Sequence, residues 1–321
     1  MRLAMIDDHD GPHSAAFIGE ERLVDLRQAA NAGVLRLTPT CTVVDILSDA
    51  TASAGVRRLI QDIAANAPGL LDRLRAARAI LQHGDARMLA PVRPLLILCT
   101  GGTYREHLKE MGAAMPSLPR SFLKSPYALN GPFSPIVLPR SMPEKIDFEC
   151  ELTCVFKRSC HGVSAEEAMD YIGGYTMIND VSARDDVAGY LAAVAARDVG
   201  AAGEAWDRVL LGKQFPTFCP IGPVVATADE IGDPHAIDIQ TRVNGVVMQS
   251  ANTRDLAFRL AETIAHFSRY HRFEPGDVLS TGSPPGVGVA RNPPLFLKVG
   301  DVVEVAGEGI GTLRNTVIAA A

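Results

Sequence analysis

The chain has 321 residues, enough for one large domain or two ordinary ones, and its 47% hydrophobic and 21% charged residues are typical of a globular protein with a sizeable core. A net charge of −6 without a basic stripe excludes a nucleic-acid surface, although a locally positive pocket could still bind a small anion. Six cysteines without a C-x-x-C pair are too sparse for a disulfide scaffold, so reduced thiols are expected. The sequence has no signal peptide and no run near the ~18 apolar residues of a membrane span, which predicts a cytoplasmic protein without a membrane partner.

The amino-terminal part, residues 1–92, is predicted to be a small α+β domain. Short strands are predicted over residues 3–6, 15–18 and 22–26, and a helical stretch is predicted over residues 55–83. Pro68-Gly69 should divide the helical stretch into two helices. Pro91 and Pro94 mark the boundary with the second predicted domain, residues 93–321.

The second part is rich in strands and turns, so we expect an α+β fold that is predominantly β. Asn244-Gly245 between two alternating segments predicts a two-residue hairpin. Ser164 begins a capping box, and apolar residues on one face predict a helix over residues 253–271. The Ala- and Gly-rich segment 186–205 is either a short helix or an insertion over a site.

Two glutamates share one face of a predicted strand. Side chains alternate along a strand, so Glu149 and Glu151 point one way, and Cys150, Leu152 and Cys154 point the other way. Buried carboxylates repel each other unless a cation or a proton lies between them. The alternative is that this face meets water, and the pair alone does not decide between the two.

A polar cluster follows the next apolar strand and supplies a third carboxylate. Asn179 and Asp180 end this strand, and Ser182, Arg184 and Asp185 come directly after them. Asp180 could complete an oxygen site of the kind that Mg²⁺, Mn²⁺ or Ca²⁺ prefers. The alternative is a solvated turn formed by Asn179-Asp180.

A third cluster lies on a predicted short helix. Thr103 and Glu106 have capping-box spacing, so a helix should begin there. His107 and Glu110 would then lie on one face, where the carboxylate could orient the imidazole as a general base. An ordinary surface helix with a charge pair explains the same spacing.

Together these segments resemble the fumarylacetoacetate hydrolase family. The matching motifs are Glu149-x-Glu151, the run from Gly174 to Asp185, and the run from Thr281 to Gly288. Their order and spacing fit from about residue 95 to residue 318. The resemblance implies a family-type catalytic domain, a mixed β-sandwich or roll, preceded by the smaller α+β domain. It also implies a homodimer.

The resemblance implies roles for individual residues. The implied metal ligands, for Mg²⁺ or alternatively Mn²⁺ or Ca²⁺, are Glu149, Glu151 and Asp180. The implied catalytic residues are His107 and Glu110, which activate water, and Lys213 near the metal and substrate. The implied substrate-binding residues are Tyr104, Arg184, Thr281 and Ser283. Lys124 matches a family lysine, to which we assign a structural role.

Three departures from the family pattern lie near the implied substrate. Thr103 stands where the family often has Asn, and Val187 stands where some members have Gln. Segment 188–205 lengthens the connection to Trp206. Because of these departures, the resemblance does not determine the identity of the substrate, whereas the implied metal ligands are all present.

The implied chemistry allows three hypotheses. The first is a hydrolase that cleaves a C–C bond in a small acylpyruvate or related 1,3-dicarbonyl oxo-acid, with a metal-stabilised enolate. The second is an oxaloacetate decarboxylase or tautomerase, or another lyase, dehydratase or isomerase of a 2-oxo acid, which needs no attack by water. The third is a non-enzymatic protein that binds a metal or a small acid.

Overall fold

A computed structural model describes residues 1–320, which form an α+β fold of strands and short helices. The strands, in chain order, are β1 Arg2–Asp7, β2 His13–Ile18, β3 Arg22–Asp25, β4 Ile80–Gln82, β5 Arg87–Leu89, β6 Ile97–Gly101, β7 Arg120–Lys124, β8 Leu129–Asn130, β9 Ile136–Leu138, β10 Ile146–Asp147, β11 Cys150–Phe156, β12 Ile172–Asn179, β13 Ser182–Ala183, β14 Cys219–Thr227, β15 Asp238–Val243, β16 Val246–Asn252, β17 Val278–Ser280, β18 Val302–Gly307 and β19 Gly311–Ala319.

The α-helices are mostly short. In chain order they are α1 Leu26–Asn31, α2 Val43–Ser48, α3 Ala50–Ala64, α4 Leu70–Ala76, α5 Arg105–Glu110, α6 Ala165–Ala168, α7 Val187–Ala195, α8 Val199–Leu211, α9 Ala228–Ile231 and α10 Leu260–Ser268. Polar caps explain several of the starts: Asp25 accepts from Gln28 N, Thr42 forms a capping box with Asp45, and Ser164 forms the predicted box before α6.

One large sheet runs through the molecule in the order β4-β3-β2-β1-β14-β12-β11-β17-β6-β7. Strand β1 pairs antiparallel with β14, with Leu3 opposite Val225, so the amino-terminal strands extend the same sheet as β11 and β12. The backbone hydrogen bonding is therefore continuous across the predicted boundary at residue 92, and the division into two domains stays a prediction.

Apolar layers cover both faces of this sheet. On one face the helices α1 to α4 pack their buried residues, such as Val56 and Leu74, against the strands. On the other face lie α10 and the second sheet, whose order is β16-β15-β18-β19-β9. Strands β11 and β12 are buried along their whole length because both layers enclose them. Any polar side chain on these two strands is therefore held in an apolar setting.

The structure confirms the predicted hairpin and corrects three predicted elements. Asn244 and Gly245 have φ of 51° and 79°, as a type I′ turn requires. The predicted helical stretch ends at α4, since residues 80–82 form β4, an apolar segment too short for periodicity to separate strand from helix. The helix predicted from residue 253 begins only at Leu260, because Leu256 instead bridges to Tyr104. Thr103 does not cap α5; its hydroxyl donates to Thr281 O at 2.5 Å.

Across residues 1–320, none of the helices combines the length and the apolar character needed to cross a bilayer.

Candidate active site

Three carboxylates from two neighbouring strands converge at the carboxyl end of β12. Glu149 precedes β11, Glu151 lies within it, and Asp180 directly follows β12. Asp180 N donates to Glu149 O at 2.9 Å, which fixes the two chain segments together. The three residues are 7%, 1% and 0% exposed. All three line the same cavity, and their role as metal ligands stays a prediction.

Basic side chains surround part of this cluster. Lys213 Nζ donates to Glu149 Oε2 at 2.6 Å and to Asp180 Oδ2 at 2.5 Å, and Lys124 Nζ donates to Asp180 Oδ1 at 2.5 Å. Arg184 donates from Nη2 to Glu149 Oε1 at 2.7 Å. Burial opposes ionisation of Glu149, but the charges of Arg184 and Lys213 hold its pKa well below the ordinary value. Glu149 and Asp180 are thus charge-paired by protein groups.

Glu151 has a different environment from the other two acids. Its carboxylate accepts a hydrogen bond from Ser280 Oγ, and no cation within residues 1–320 forms an ion pair with it. Burial, together with the charges of Asp180 and Glu149, raises its pKa well above the ordinary value. Oxygens of Glu151 and Asp180 and the sulfur of Cys99 lie within 4.8 Å of one another. Glu149 does not belong to this close group, so the two carboxylates that lie near enough to share a hard divalent cation are Glu151 and Asp180.

A buried aspartate that the sequence reasoning missed supports Arg184. Asp147 is fully buried and accepts from Arg184 Nε at 3.0 Å, from Gly288 N at 2.6 Å and from Val289 N at 3.1 Å. It therefore positions Arg184 and joins it to the glycine-rich loop. Because side chains alternate along a strand, Asp147 is expected on the same face as Glu149. This spacing is the feature of the sequence from which Asp147 could have been predicted.

The predicted histidine–glutamate pair forms on α5. His107 Nδ1 lies 2.9 Å from Glu110 Oε2, and Glu110 also accepts from Gly286 N at 2.9 Å. Glu110 therefore ties the helix to the glycine-rich loop and orients the imidazole. With Nδ1 donating to Glu110, Nε2 is the ring nitrogen free to accept a proton.

The glycine-rich loop that contains Ser283 depends on close backbone approaches. Gly282 has φ of 83°, and a Cβ there would lie 2.1 Å from Thr103 Oγ1. Gly286 has φ of 99°, and a Cβ there would lie 2.3 Å from Met248 O. Ser283 Oγ accepts from Gln249 Nε2 at 2.8 Å. The loop can follow this path only with glycine at both positions.

Most of the predicted site residues line one cavity of about 590 Å³. From the predicted set these are His107, Glu149, Glu151, Asp180, Arg184, Lys213 and Ser283. The other lining residues are Thr100, Gly101, Gly102, Met111, Ala113, Arg120, Ser121, Phe122, Val187, Tyr190, Leu191, Trp206, Val209 and Leu210. The polar centre and an apolar region therefore share one space.

Three predicted residues lie outside this lining, as far as residues 1–320 are concerned. Tyr104 is fully buried in the hydrophobic core, and Thr281 is 2% exposed. Glu110 reaches the cavity only through His107. The substrate contacts of Tyr104 and Thr281 stay predictions, whereas Glu110 lies where an orienting residue would be expected.

Comparison with known proteins gives a consistent set of similarities. The sequence model described as fumarylacetoacetate (FAA) hydrolase C-terminal matches residues 96–318. The human mitochondrial oxaloacetate tautomerase FAHD2A is 40% identical over 246 residues, which are 76% of this chain and 74% of the human protein. The 2,4-didehydro-3-deoxy-L-rhamnonate hydrolase of a Sphingomonas species is 36% identical over 267 residues, which are 80% and 88% of the two chains.

Solved structures with the same fold cover the whole chain. A fumarylacetoacetate hydrolase from Exiguobacterium antarcticum is 27% identical with a TM-score of 0.75, and all of both chains is covered. Maleylpyruvate hydrolase from Sphingobium, in complex with manganese(II) and pyruvate, is 28% identical with a TM-score of 0.69 and the same complete coverage.

Proposed function

Because the chain belongs to the fumarylacetoacetate hydrolase family, which includes enzymes acting on oxo-acids, we propose that it is a divalent-metal-dependent hydrolase that cleaves a C–C bond of an acylpyruvate-type substrate. One observation carries the proposal. His107, oriented by Glu110, lines the same cavity as the carboxylates Glu149, Glu151 and Asp180. A water-activating base and an acidic ion site are the two parts that such a hydrolysis needs.

Glu149, Glu151 and Asp180 would hold the ion. Their oxygens suit Mg²⁺, with Mn²⁺ or Ca²⁺ as alternatives, and the manganese in the maleylpyruvate hydrolase supports this class of ion. When bound, the ion would supply Lewis-acid stabilisation to the oxygens of the oxo-acid. Glu151, a buried carboxyl group without a cationic partner, is the feature of this chain that favours binding of a cation.

The protein's own groups would carry the proton transfers. His107 Nε2 takes a proton from water, and the resulting hydroxide attacks the carbonyl carbon far from the carboxylate, with base catalysis worth ~10²–10⁴-fold. The C–C bond then breaks, its electron pair passes to the carbon that becomes the methyl group of pyruvate, and that carbon takes up a proton. The other product is a carboxylic acid. Lys213 and Arg184, which line the cavity, would stabilise the negative charge that develops on the substrate.

A second candidate function is tautomerisation of oxaloacetate. It is favoured by the 40% identity to proteins named oxaloacetate tautomerase. This reaction needs the same ion and a proton carrier, but it needs no attack by water. Hydrolysis therefore requires His107 to activate water, whereas tautomerisation does not.

The test is to assay the purified protein with acylpyruvates and with oxaloacetate, in Mg²⁺ and in EDTA. We expect hydrolysis that EDTA abolishes and that His107→Ala lowers by ~10²-fold or more. His9→Ala serves as the matched control, because His9 is exposed on a loop. Full turnover after removal of the metal, or a His107→Ala variant that hydrolyses normally, would contradict the proposal. Loss of hydrolysis with retained oxaloacetate turnover would confine His107 to the water-activating role.

We also propose that the molecule is a homodimer. Strand β7 forms one edge of the large sheet, and the neighbouring Leu118, Leu123 and Tyr127 expose 59%, 49% and 89% of their surfaces. An open edge beside exposed apolar side chains favours association with a second copy.

A further inference from the structure

The cavity extends well beyond the carboxylates, beneath a helical hairpin. The hairpin consists of α7 and α8, which segment 186–205 largely builds. From α7 the lining residues are Val187, Tyr190 and Leu191, spaced as i, i+3 and i+4 on a single helix face. From α8 they are Trp206, Val209 and Leu210, with the same spacing. Each helix therefore turns one apolar face to the cavity.

The hairpin holds these faces together mainly through its aromatic residues. The rings of Tyr190 and Trp206 lie 5.2 Å apart between centroids at an angle of 47°. Its ends are tied by an ion pair between Arg208 Nε and Asp186 Oδ1 at 2.8 Å, and Asp198 caps α8 by accepting from Ala201 N. The two apolar faces therefore belong to one ordered hairpin that is held together by its own contacts.

The cavity lining outside the hairpin is also partly apolar. Phe122 of β7 faces the cavity, and Lys213 Nζ lies 4.7 Å from the centre of its ring. Met111 and Ala113 extend this apolar lining. A cavity of about 590 Å³ lies within the ~300–1,000 Å³ of sites for drug-sized ligands, whereas pyruvate would occupy only the polar end.

From this arrangement we infer that the substrate carries a bulky apolar acyl group, aryl or branched alkyl, which binds between the α7–α8 hairpin and Phe122. The inference rests on the proposed function, since the oxo-acid end must bind at the carboxylate cluster. Tyr190, Leu191 and Trp206 are then the specificity-determining residues. Each buried methylene is worth about fourfold in kcat/KM, so a phenyl group that buries the equivalent of about three methylenes contributes roughly 10²-fold.

Arg120 offers the main competing interpretation. It lies at the outer end of β7, opposite Gly101, and its guanidinium could bind a second carboxylate on the substrate. Arg120 is exposed, so its charge is already solvated, whereas the apolar faces of the hairpin gain most from an apolar ligand. A preference for dicarboxylates would favour Arg120 over the hairpin.

The test compares benzoylpyruvate with acetylpyruvate and oxaloacetate as substrates in Mg²⁺. We expect kcat/KM for benzoylpyruvate to exceed that for acetylpyruvate by at least tenfold. Tyr190→Ala and Trp206→Ala should each remove most of this advantage, because both side chains line the apolar part of the cavity. Val199→Ala is the matched control, because Val199 belongs to the same hairpin but is 85% exposed and lies outside the cavity lining. Circular dichroism and urea denaturation check that the variants are folded.

Binding measurements separate this inference from the proposed function. Calorimetry with phenylpyruvate and with pyruvate, in Mg²⁺, should show at least tenfold tighter binding of phenylpyruvate, and Trp206→Ala should abolish the difference. That result supports the apolar pocket even if neither acylpyruvate is hydrolysed, in which case only the proposed reaction fails. Equal affinities, or a higher kcat/KM for oxaloacetate than for benzoylpyruvate, would overturn the inference while leaving a metal-dependent oxo-acid enzyme intact.

Discussion

Among the described residues, Glu151 is an acid without a cationic partner in a cluster where the other acids are paired. Asp147 pairs with Arg184, Glu149 with Arg184 and Lys213, and Asp180 with Lys213 and Lys124. The three paired acids are balanced by three basic side chains, and Glu151 is the one acid left over. The cluster as a whole therefore favours one further positive charge. The ammonium of Lys213 already lies between two of the proposed ligands. It therefore competes with an ion for the same oxygens.

This competition predicts opposite effects of Lys213→Met on binding and on catalysis. Removal of the ammonium also removes its repulsion of the ion, so Mn²⁺ should bind roughly tenfold more tightly. Turnover should fall by ~10²–10³-fold because a donor to the developing charge is lost. Calorimetric titration with Mn²⁺ and steady-state assays measure the two effects. Lys298→Met, which removes an exposed lysine, is the control, and weaker Mn²⁺ binding in Lys213→Met would refute the competition.

At the level of single residues, the sequence predicted the carboxylates and their surroundings with different success. Strand alternation and the family resemblance predicted Glu149, Glu151 and Asp180 as ligands of one ion; all three line the cavity, and their role as ligands stays a prediction. The partners of these acids were harder to predict, because an ion pair depends on side-chain reach across strands far apart in sequence. Lys124, to which a structural role was assigned, forms a buried ion pair with Asp180 that the sequence did not indicate. Ser280 was not singled out at all, although its hydroxyl donates to Glu151.

At the level of elements, the glycine-rich loop depends on backbone conformation. Gly286 and Gly300 have similar positive φ values, 99° and 93°, but different surroundings. A Cβ at Gly286 would collide with Met248 O, whereas nothing lies within 4 Å of a Cβ at Gly300. The two positions therefore separate the cost of an unfavourable φ from the cost of a collision.

Gly286→Ala should therefore be more harmful than Gly300→Ala. The change at Gly300 adds only φ strain, about 1 kcal/mol. The change at Gly286 adds a backbone collision, for a total loss of roughly 2–4 kcal/mol in the free energy of unfolding. It should also lower kcat/KM, because Gly286 N holds Glu110 and thereby His107. Urea denaturation and assays of both variants provide the measurement, and equal losses at the two positions would disprove the reasoning.

Element boundaries show where sequence patterns were sufficient. The Asn244-Gly245 hairpin and the capping box at Ser164 were predicted because each is specified by a few adjacent residues. The late helix was predicted too long because Leu256 fits the helical period but packs against Tyr104 in a bridge. Segment 186–205 was left open, and it forms a hairpin whose function depends on the cavity beneath it. Features specified by adjacent residues could thus be predicted from the sequence, whereas features that depend on contacts between distant residues could not.

At the level of the whole molecule, the exposed edge of the large sheet predicts self-association. Light scattering should give about twice the mass of the 34.2 kDa chain, with a two-fold symmetric dimer as the simplest arrangement. Leu123→Lys should weaken the dimer by placing a charge on the edge strand, as charged residues commonly do at such edges. Tyr270→Lys is the control, because Tyr270 is 71% exposed at the end of α10. A monomer at all concentrations would reject the proposed assembly.

The pairing of β1 with β14 has a consequence for how the chain reaches this fold. Arg2 lies opposite Ala226, so two strands at the middle of the large sheet are joined by most of the polypeptide. Closing so long a loop costs entropy before any contact rewards it, and topologies with such distant contacts fold slowly. During synthesis the first strand must wait until the chain has been made past residue 227. The amino-terminal hairpin can form early, but it reaches its native neighbour only late.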